Sequence, residues 1–132
     1  MHHEDIIRQD FRKNHARLHG VVAPEQVVHM QRAYEAMGGK SFHADRTLIN
    51  YSLLHDGSVE FHCSNAGSGE ELAAAVNAFL LKMGREGVTV CKTQYDNPAV
   101  TQLMRHSRYP VSVQQINGGP DKTFEATFTL KG

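Results

Sequence analysis

The chain has 132 residues, enough to bury a hydrophobic core without disulfides or a structural metal, so we expect a single domain over residues 1–132. Fourteen basic side chains balance fourteen acidic ones, and this zero formal charge argues against nucleic acid or an anionic membrane as a partner. The longest apolar run, Phe79-Leu80-Leu81, cannot cross a bilayer, and the N-terminus has no apolar signal segment, so we expect a cytoplasmic protein.

Two helices are predicted before Lys40. Helical composition runs from Glu4 to about His19, with Gly20 as a stop, and Pro24 suits the first position of a second helix that Gly38-Gly39 ends. Each helix should bury one apolar stripe. The predicted stripes are Ile7, Phe11 and Leu18 in the first helix and Val27, Met30, Tyr34 and Met37 in the second.

A hairpin and a crossover follow. Residues 42–55 become rich in β-branched and aromatic side chains, and Asp56-Gly57 then predicts a hairpin turn into a strand that begins at Val59. Gly67-Ser68-Gly69 ends that strand, and an amphipathic helix and a strand over residues 88–94 complete a β-α-β unit. The predicted inward face of the helix consists of Leu72, Val76, Phe79, Leu80 and Met83.

The last third of the chain predicts one more helix and a closing hairpin. Asn97 suits the N-cap of this helix, Pro98 its first turn, and Pro110 forbids its continuation. Strands over residues 109–116 and 123–130 flank a Gly-Gly-Pro turn. The predicted fold class is therefore α/β (α+β), a mixed, largely antiparallel sheet that contains one parallel crossover pair, with helices on its faces.

This order of elements, with Gly67-Ser68-Gly69 and Asn97-Pro98-Ala99, resembles the GCN5-related N-acetyltransferase (GNAT) superfamily. The match is best over residues 59–113, about half of the chain, and departs from the family where the chain opens directly with helices. The family pattern Gln/Arg-x-x-Gly-x-Gly/Ala falls on residues 64–69. The resemblance implies that acetyl-CoA is the cofactor, and that its pantetheine arm meets Asn97. It implies that the pyrophosphate meets Ser64, Gly67, Ser68, Gly69 and Glu70.

Glycines at such a turn let the backbone approach a pyrophosphate, while free amides and the helix dipole supply positive potential. Here Ser64 stands at the Gln/Arg position, and Glu70 and Glu71 place negative charge where the phosphates would lie. Ser68 and Glu71 also have the spacing of a capping box, which would use the amides that a phosphate needs. The alternative interpretation is a well-capped helix without a ligand, and for Asn97 it is an ordinary N-cap.

Catalysis would require a base for the amine and a proton for the leaving thiolate. Glu60 and His62 share one strand face before the turn and are the candidate bases, although the same face could simply be solvated. The family often has a Tyr where this chain has Met104, which cannot donate a proton. Tyr95 is the candidate substitute, with His106 and Tyr109 also nearby in the sequence; a packing role is the alternative.

No metal site is predicted. His15 and His19 have the i, i+4 spacing of two zinc ligands, but a third ligand is not evident, so we interpret them as surface histidines. Cys63 and Cys91 fall in separate predicted strands and are expected to be buried, reduced thiols without chemistry.

Two functions remain open from the sequence. The first is acetyl transfer from acetyl-CoA to a small-molecule or peptide amine, which the resemblance implies. The second is a catalytically degenerate GNAT fold that binds a protein partner or builds an assembly, as in phage-type structural proteins, because Ser64, Glu70 and Met104 each replace a group that the chemistry would favour. A homo-oligomer is compatible with both.

Overall fold

The computed structural model describes residues 1–117 and 122–130. Six strands form one sheet in the order β1-β2-β3-β4-β6-β5, in which β3 and β4 are parallel and the other described neighbours antiparallel. The helices are α1 (His3–Asn14), α2 (Pro24–Ala36), α3 (Gly69–Arg85) and α4 (Ala99–Arg105), and a short 3-10 helix covers Ala16–Leu18. The strands are β1 (Lys40–Ala44), β2 (Thr47–Leu53), β3 (Val59–Asn65), β4 (Val90–Tyr95), β5 (Val111–Asn117) and β6 (Thr123–Thr129).

The core is divided by the sheet. On one face α3 packs its predicted apolar stripe, and the fully buried ring of Phe79 contacts the rings of Phe42, Tyr51 and Phe61 with centroids 5.1–5.7 Å apart. On the other face a smaller core joins α1, α2 and β2. It consists of Ile6, Ile7, Val28, Leu48 and Ala66. Because side chains alternate along a strand, neighbours such as Leu48 and Ile49 belong to opposite cores.

The structure confirms the fold class and the crossover. Residues 67–69 lie at the turn from β3 into α3, as predicted, and α4 packs beside α3. The predicted hairpin joins β2 to β3 around Gly57, which has a φ of 85°, a conformation that glycine adopts without strain. At the end of α3, Gly87 likewise has a φ of 90°. The strands of the closing hairpin are β5 and β6, whereas residues 118–121 of its predicted turn lie outside the described residues.

Residues 42–55 form parts of two strands where the sequence analysis predicted one extended run. The chain reverses at Asp45-Arg46, and Ala44 pairs with Thr47 across the turn. Asp45 has a φ of 52°, which aspartate tolerates better than most residues, so the turn needs no glycine and left no glycine signal.

The first helix also differs from its prediction, because it ends at Asn14 and not near His19. The side chains of Asn14 and His15 both bond to the Asp10 carboxylate, and residues 16–18 continue as the 3-10 helix.

The predicted buried stripe of α2 was wrong at its two methionines, whereas Val27 packs against the smaller core and Tyr34 is half-buried. Met30 and Met37 are 67% and 86% exposed, whereas Val28 and Gln31 face inward. Gln31 exchanges side-chain hydrogen bonds with Asn50 on β2, so a polar pair occupies an inward position. Two salt bridges join α2 to α1, Glu25 to Arg8 and Arg32 to Glu4. They are consistent with a helix that turns Val28 and Gln31, and not the methionines, towards the protein. No helix in the described part of the chain is long and apolar enough to cross a membrane.

Candidate functional site

A cleft opens where β3 and β4 diverge. Their parallel register runs from Val59 and Cys91 to Phe61 and Thr93 and then stops, although β3 continues to Asn65 and β4 to Tyr95 along their outer neighbours. The facing edges of residues 62–64 and 94–95 therefore make no strand-to-strand pairing with each other. The resulting cavity has a volume of about 500 Å³ and is bounded by α1, the β3–α3 turn and α4.

The β3–α3 turn is shaped by the side chain of Asn65. Its Oδ1 accepts hydrogen bonds from the Gly67 amide at 3.0 Å and the Thr47 hydroxyl at 2.9 Å. Its Nδ2 donates to the carbonyls of Gly67 and Ser68, each at 3.1 Å. Asn65 is itself buried, so this turn is held by a satisfied polar network and has little freedom to change shape.

Ser68 caps α3, because its Oγ accepts a hydrogen bond from the Glu71 amide at 3.2 Å. The other half of the predicted capping box does not form, because the Glu71 carboxylate bonds to Arg46. The amides of Gly69 and Glu70, in the first helical turn, donate no hydrogen bond to any described residue, as expected for a helix N-terminus. Gly69 also permits close helix packing, because a Cβ there would lie 3.3 Å from Leu103 of α4. The turn therefore presents free backbone donors at the end of the cleft.

Two cations flank this turn, and the sequence analysis found neither. Lys13 of α1 donates to the Gly67 carbonyl at 2.6 Å, and Arg46 of the β1–β2 turn forms a two-point salt bridge with the Glu71 carboxylate. The Arg46 bond holds the pKa of Glu71 below its usual value. One of the two acidic charges expected to oppose a phosphate is therefore balanced, whereas the Glu70 side chain is exposed and pairs with none of the described residues.

Titratable groups from three elements face one another inside the cleft. Asp10 of α1 is 7% exposed and accepts hydrogen bonds from the Asn65 amide at 3.0 Å and the Asn14 side chain at 2.8 Å. Its other oxygen lies 3.0 Å from Nε2 of His15, and this bond raises the His15 pKa. Partial removal of the His62 ring from water lowers its pKa, although the residue as a whole is exposed.

Tyr95 and Asn97 close the cleft from the side of α4. The Tyr95 hydroxyl lies 2.7 Å from Oγ1 of Thr101, and its ring stacks on Phe124 with centroids 5.6 Å apart. Asn97 Oδ1 accepts a hydrogen bond from the Ala99 amide at 3.0 Å, the first amide of α4. The helix begins at Ala99 with Pro98 as its N-cap residue, so the predicted N-cap at Asn97 and first turn at Pro98 are each one residue too early. The side-chain Nδ2 of Asn97 forms no hydrogen bond with a described residue, and Asn97 lines the cavity.

The predicted site residues divide into two groups. His62, Tyr95, Gly67, Gly69 and Asn97 line the cleft. Glu60 is exposed on β3 outside the lining, Ser64 is buried opposite Leu48 under α1, and Ser68 and Glu70 stand at the rim. His106 and Tyr109 do not line the cavity either. The cleft thus brings together the main chain of the turn and polar side chains that include Asp10 of α1, His62 of β3, Tyr95 of β4 and Asn97 just before α4.

No cluster of three or more potential metal ligands occurs among the described residues. His15 and His19 do not act as a pair: His15 contacts Asp10, whereas the ring of His19 bonds to the Phe11 carbonyl at 3.1 Å. Cys63 and Cys91 are free thiols on β3 and β4, and burial raises the pKa of each to about 12.

Several solved acetyltransferase structures share this architecture. A GNAT-family protein from Chromobacterium violaceum superposes with a TM-score of 0.65 at 11% identity, over 97% of this chain and 78% of that one. Aminoglycoside 6'-acetyltransferase type Ii gives 0.62 at 14% identity, over 98% and 90% of the two chains. The yncA protein of Salmonella typhimurium, whose structure contains its cofactor acetyl-CoA, gives 0.55 at 14% identity, over 83% and 75%.

These likenesses, at such low identity, establish the fold: the chain has the GNAT fold. The GNAT resemblance inferred from the sequence is thereby confirmed at the level of architecture. No protein-family model matches the sequence, and no curated protein matches it.

Proposed function

We propose that this protein transfers an acetyl group from acetyl-CoA to an amine. The observation that carries the proposal is the cleft between β3 and β4, which ends at a glycine turn with free amides at the start of a 17-residue helix. A cavity of about 500 Å³ has room for the arm of a cofactor, and the chain shares its fold with proteins named as acetyltransferases, one of which was solved with acetyl-CoA.

Backbone groups of the cleft suit a pantetheine arm. That arm carries two amides along an extended chain, and the facing edges of residues 62–64 and 94–95 offer peptide groups that can pair with it as a neighbouring strand would. The side-chain amide of Asn97 adds a donor, because Nδ2 remains available when Oδ1 caps α4.

The pyrophosphate would lie at the turn before α3. The amides of Gly69 and Glu70 and the positive end of the helix dipole favour an anion there. Lys13 and Arg46 supply the positive charge that Ser64 does not, and both reach the turn from other elements. The residues present therefore fit the cofactor, although Glu70 opposes it.

In the reaction, a bond forms between the amine nitrogen and the acetyl carbon while the carbon–sulfur bond breaks. His62 is suited to take the amine proton, because its lowered pKa keeps the ring uncharged at neutral pH. When the Tyr95 hydroxyl accepts from Thr101, its own proton can point into the cleft and reach the leaving thiolate. Glu60 lies outside the cleft lining and would need a water molecule to act as the base.

The second function from the sequence analysis keeps support from one observation. Met104 of α4 is buried in the core and also lines the cleft, so a thioether, which cannot donate a proton, stands where the family often places its proton donor. If Tyr95 does not replace it, the cleft would bind without reacting, and a binding or assembly role would follow.

The test is calorimetric titration with acetyl-CoA, followed by mass spectrometry of a panel of amines and peptides incubated with the protein and acetyl-CoA. We expect binding, a rise in Tm and acetylation of at least one amine class. No heat of binding and no change in Tm at millimolar acetyl-CoA rejects the proposal. Binding of acetyl-CoA without acetylation of any amine or peptide in the panel favours the second function.

A matched pair of variants tests the site itself. Asn97→Ser keeps an oxygen that can cap α4 but removes the amide donor, so we expect weaker acetyl-CoA binding by about three- to tenfold. Gln102→Ser removes an exposed amide from α4 itself and should leave the affinity within twofold. Equal affinity of both variants would exclude Asn97 from the cofactor site.

A further inference from the structure

The salt bridge between Arg46 and Glu71 covers the glycine turn from outside. Glu71 belongs to the first turn of α3, and its carboxylate lies over Gly67 so closely that a Cβ on this glycine would overlap it. The Arg46 guanidinium donates to both carboxylate oxygens of Glu71, from Nε to Oε2 at 3.0 Å and from Nη2 to Oε1. The pair therefore covers Gly67, two residues before Gly69, from outside the residues that line the cleft.

The Arg46 side chain can change partner without moving its backbone. The Arg46 carbonyl accepts a hydrogen bond from the Ala66 amide at 2.8 Å, so the main chain fixes the β1–β2 turn against the β3–α3 turn independently of the guanidinium. Both side chains of the pair are partly exposed, which keeps their mutual attraction weak and sensitive to salt.

A diphosphate is a stronger partner for Arg46 than one carboxylate. It carries more negative charge and offers oxygens that match the fork of the guanidinium, so the exchange from Glu71 to a phosphate is favourable. Glu71 would then be left without its partner close to the same phosphates and would repel them. In this exchange the new contact of Arg46 with the phosphates favours binding, and the repulsion between Glu71 and the phosphates opposes it.

We propose that the Arg46–Glu71 pair is a gate on the cofactor site, in which coenzyme A takes Arg46 from Glu71 and the released Glu71 lowers the affinity for the phosphates. The proposal rests on the coenzyme A site proposed above. Glu71 thereby sets how tightly the protein holds its cofactor, and ligands without phosphates cannot open the gate.

Four variants test the gate by titration calorimetry with coenzyme A at about 20 mM salt, where the Debye length is long. They are Glu71→Gln, Arg46→Gln, the double variant and the control Arg32→Gln. Arg32 forms a comparable two-point pair with Glu4 between α1 and α2. Thermal unfolding of each variant checks that the protein remains folded. Pantetheine, which lacks phosphates, serves as a second ligand.

We expect Glu71→Gln to tighten coenzyme A binding by about three- to tenfold and Arg46→Gln to weaken it by a similar factor. Arg46→Gln should weaken binding by a larger factor in the Glu71→Gln variant than in the wild type. In Glu71→Gln, Arg46 has no salt bridge to break before it binds the phosphates. Arg32→Gln should change the affinity less than twofold. The Kd for pantetheine should also change less than twofold in every variant.

The other outcomes separate this proposal from the proposed function. If the wild type binds coenzyme A and both single variants have a Kd within twofold of that of Arg32→Gln, the gate is overturned but the proposed function is not. The same holds if Arg46→Gln weakens binding by the same factor in the wild type and in Glu71→Gln. Binding by no variant overturns both proposals. Binding only after Glu71→Gln supports the gate and rejects the wild type as an acetyl-CoA-dependent enzyme.

Discussion

Asp10 ties α1 to the end of β3, and replacing it should destabilise the fold far more than a typical surface substitution. The carboxylate is 7% exposed and accepts from the Asn65 amide at 3.0 Å and from Asn14 at 2.8 Å, while His15 lies 3.0 Å from its second oxygen. Asp10→Ala removes all three interactions. It also leaves the amide of a buried residue, Asn65, without its acceptor.

The size of the effect follows from these contacts. An unsatisfied buried amide costs about 1–3 kcal/mol, and hydrogen bonds to a charged group contribute about 1.5–3 kcal/mol each. Water from the adjoining cleft can replace part of this loss, so we expect Asp10→Ala to lower the free energy of unfolding by about 3–4 kcal/mol. For a domain of this size, Tm falls by roughly 10 °C. Asp10→Asn keeps an acceptor for Asn65 and should cost about half as much.

Urea unfolding at pH 7 measures these differences. Asp5→Ala is the control, because Asp5 lies on the same helix with its side chain 49% exposed, 3.3 Å from Arg8. We expect it to cost less than about 0.5 kcal/mol. If Asp10→Ala costs no more than Asp5→Ala, the network does not stabilise the fold. If Asp10→Asn costs as much as Asp10→Ala, the bond to the Asn65 amide is not the source of the effect.

Two further predictions concern groups in the cleft. The bond from Asp10 raises the His15 pKa above its ordinary value of 6.5, so the stabilisation from this pair is fully present below about pH 6.5 and is lost as the pH rises through the folded-state pKa. His15→Gln should therefore cost more stability at pH 5.5 than at pH 8.5, and an equal cost in urea unfolding at both would contradict a charged pair. Burial raises the pKa of Cys63 to about 12, so about one molecule in ten thousand carries the thiolate at pH 8. Alkylation by iodoacetamide should be about a thousandfold slower than for the unfolded chain, and similar rates in both states would show that the thiol is not shielded.

The elements that the sequence predicted are those whose signals are local. The hairpin around Gly57, the cap at Ser68 and the stripe of α3 each depend on residues within one or two turns of each other. The missed elements depend on distant partners or on unusual turns. The inward face of α2 follows contacts with α1 and β2, and the turn at Asp45 contains no glycine.

The sequence predicted the main chain of the candidate site and the lining side chains His62, Tyr95 and Asn97, but not its cations. The glycine turn and Asn97 carry sequence signals, and the structure places them together at the cleft. Lys13 lies 54 positions from its partner Gly67 in the sequence, and Arg46 lies 25 positions from Glu71, so no spacing rule would find them. Asn65 had a usable signal, because an asparagine two residues before a glycine at the end of a strand is typical of an Asx turn.

The early end of the β3–β4 register has a consequence for how much the sequence of such a protein can drift. A recognition surface made of peptide groups is the same whichever side chains its strands carry, provided that the strands still diverge and the turn still closes. Selection on this surface would then restrict strand geometry and a few turn residues, while most positions of β3 and β4 need only remain compatible with their cores. The fold that this chain shares with the acetyltransferase structures at 11–14% identity is compatible with such a constraint on geometry.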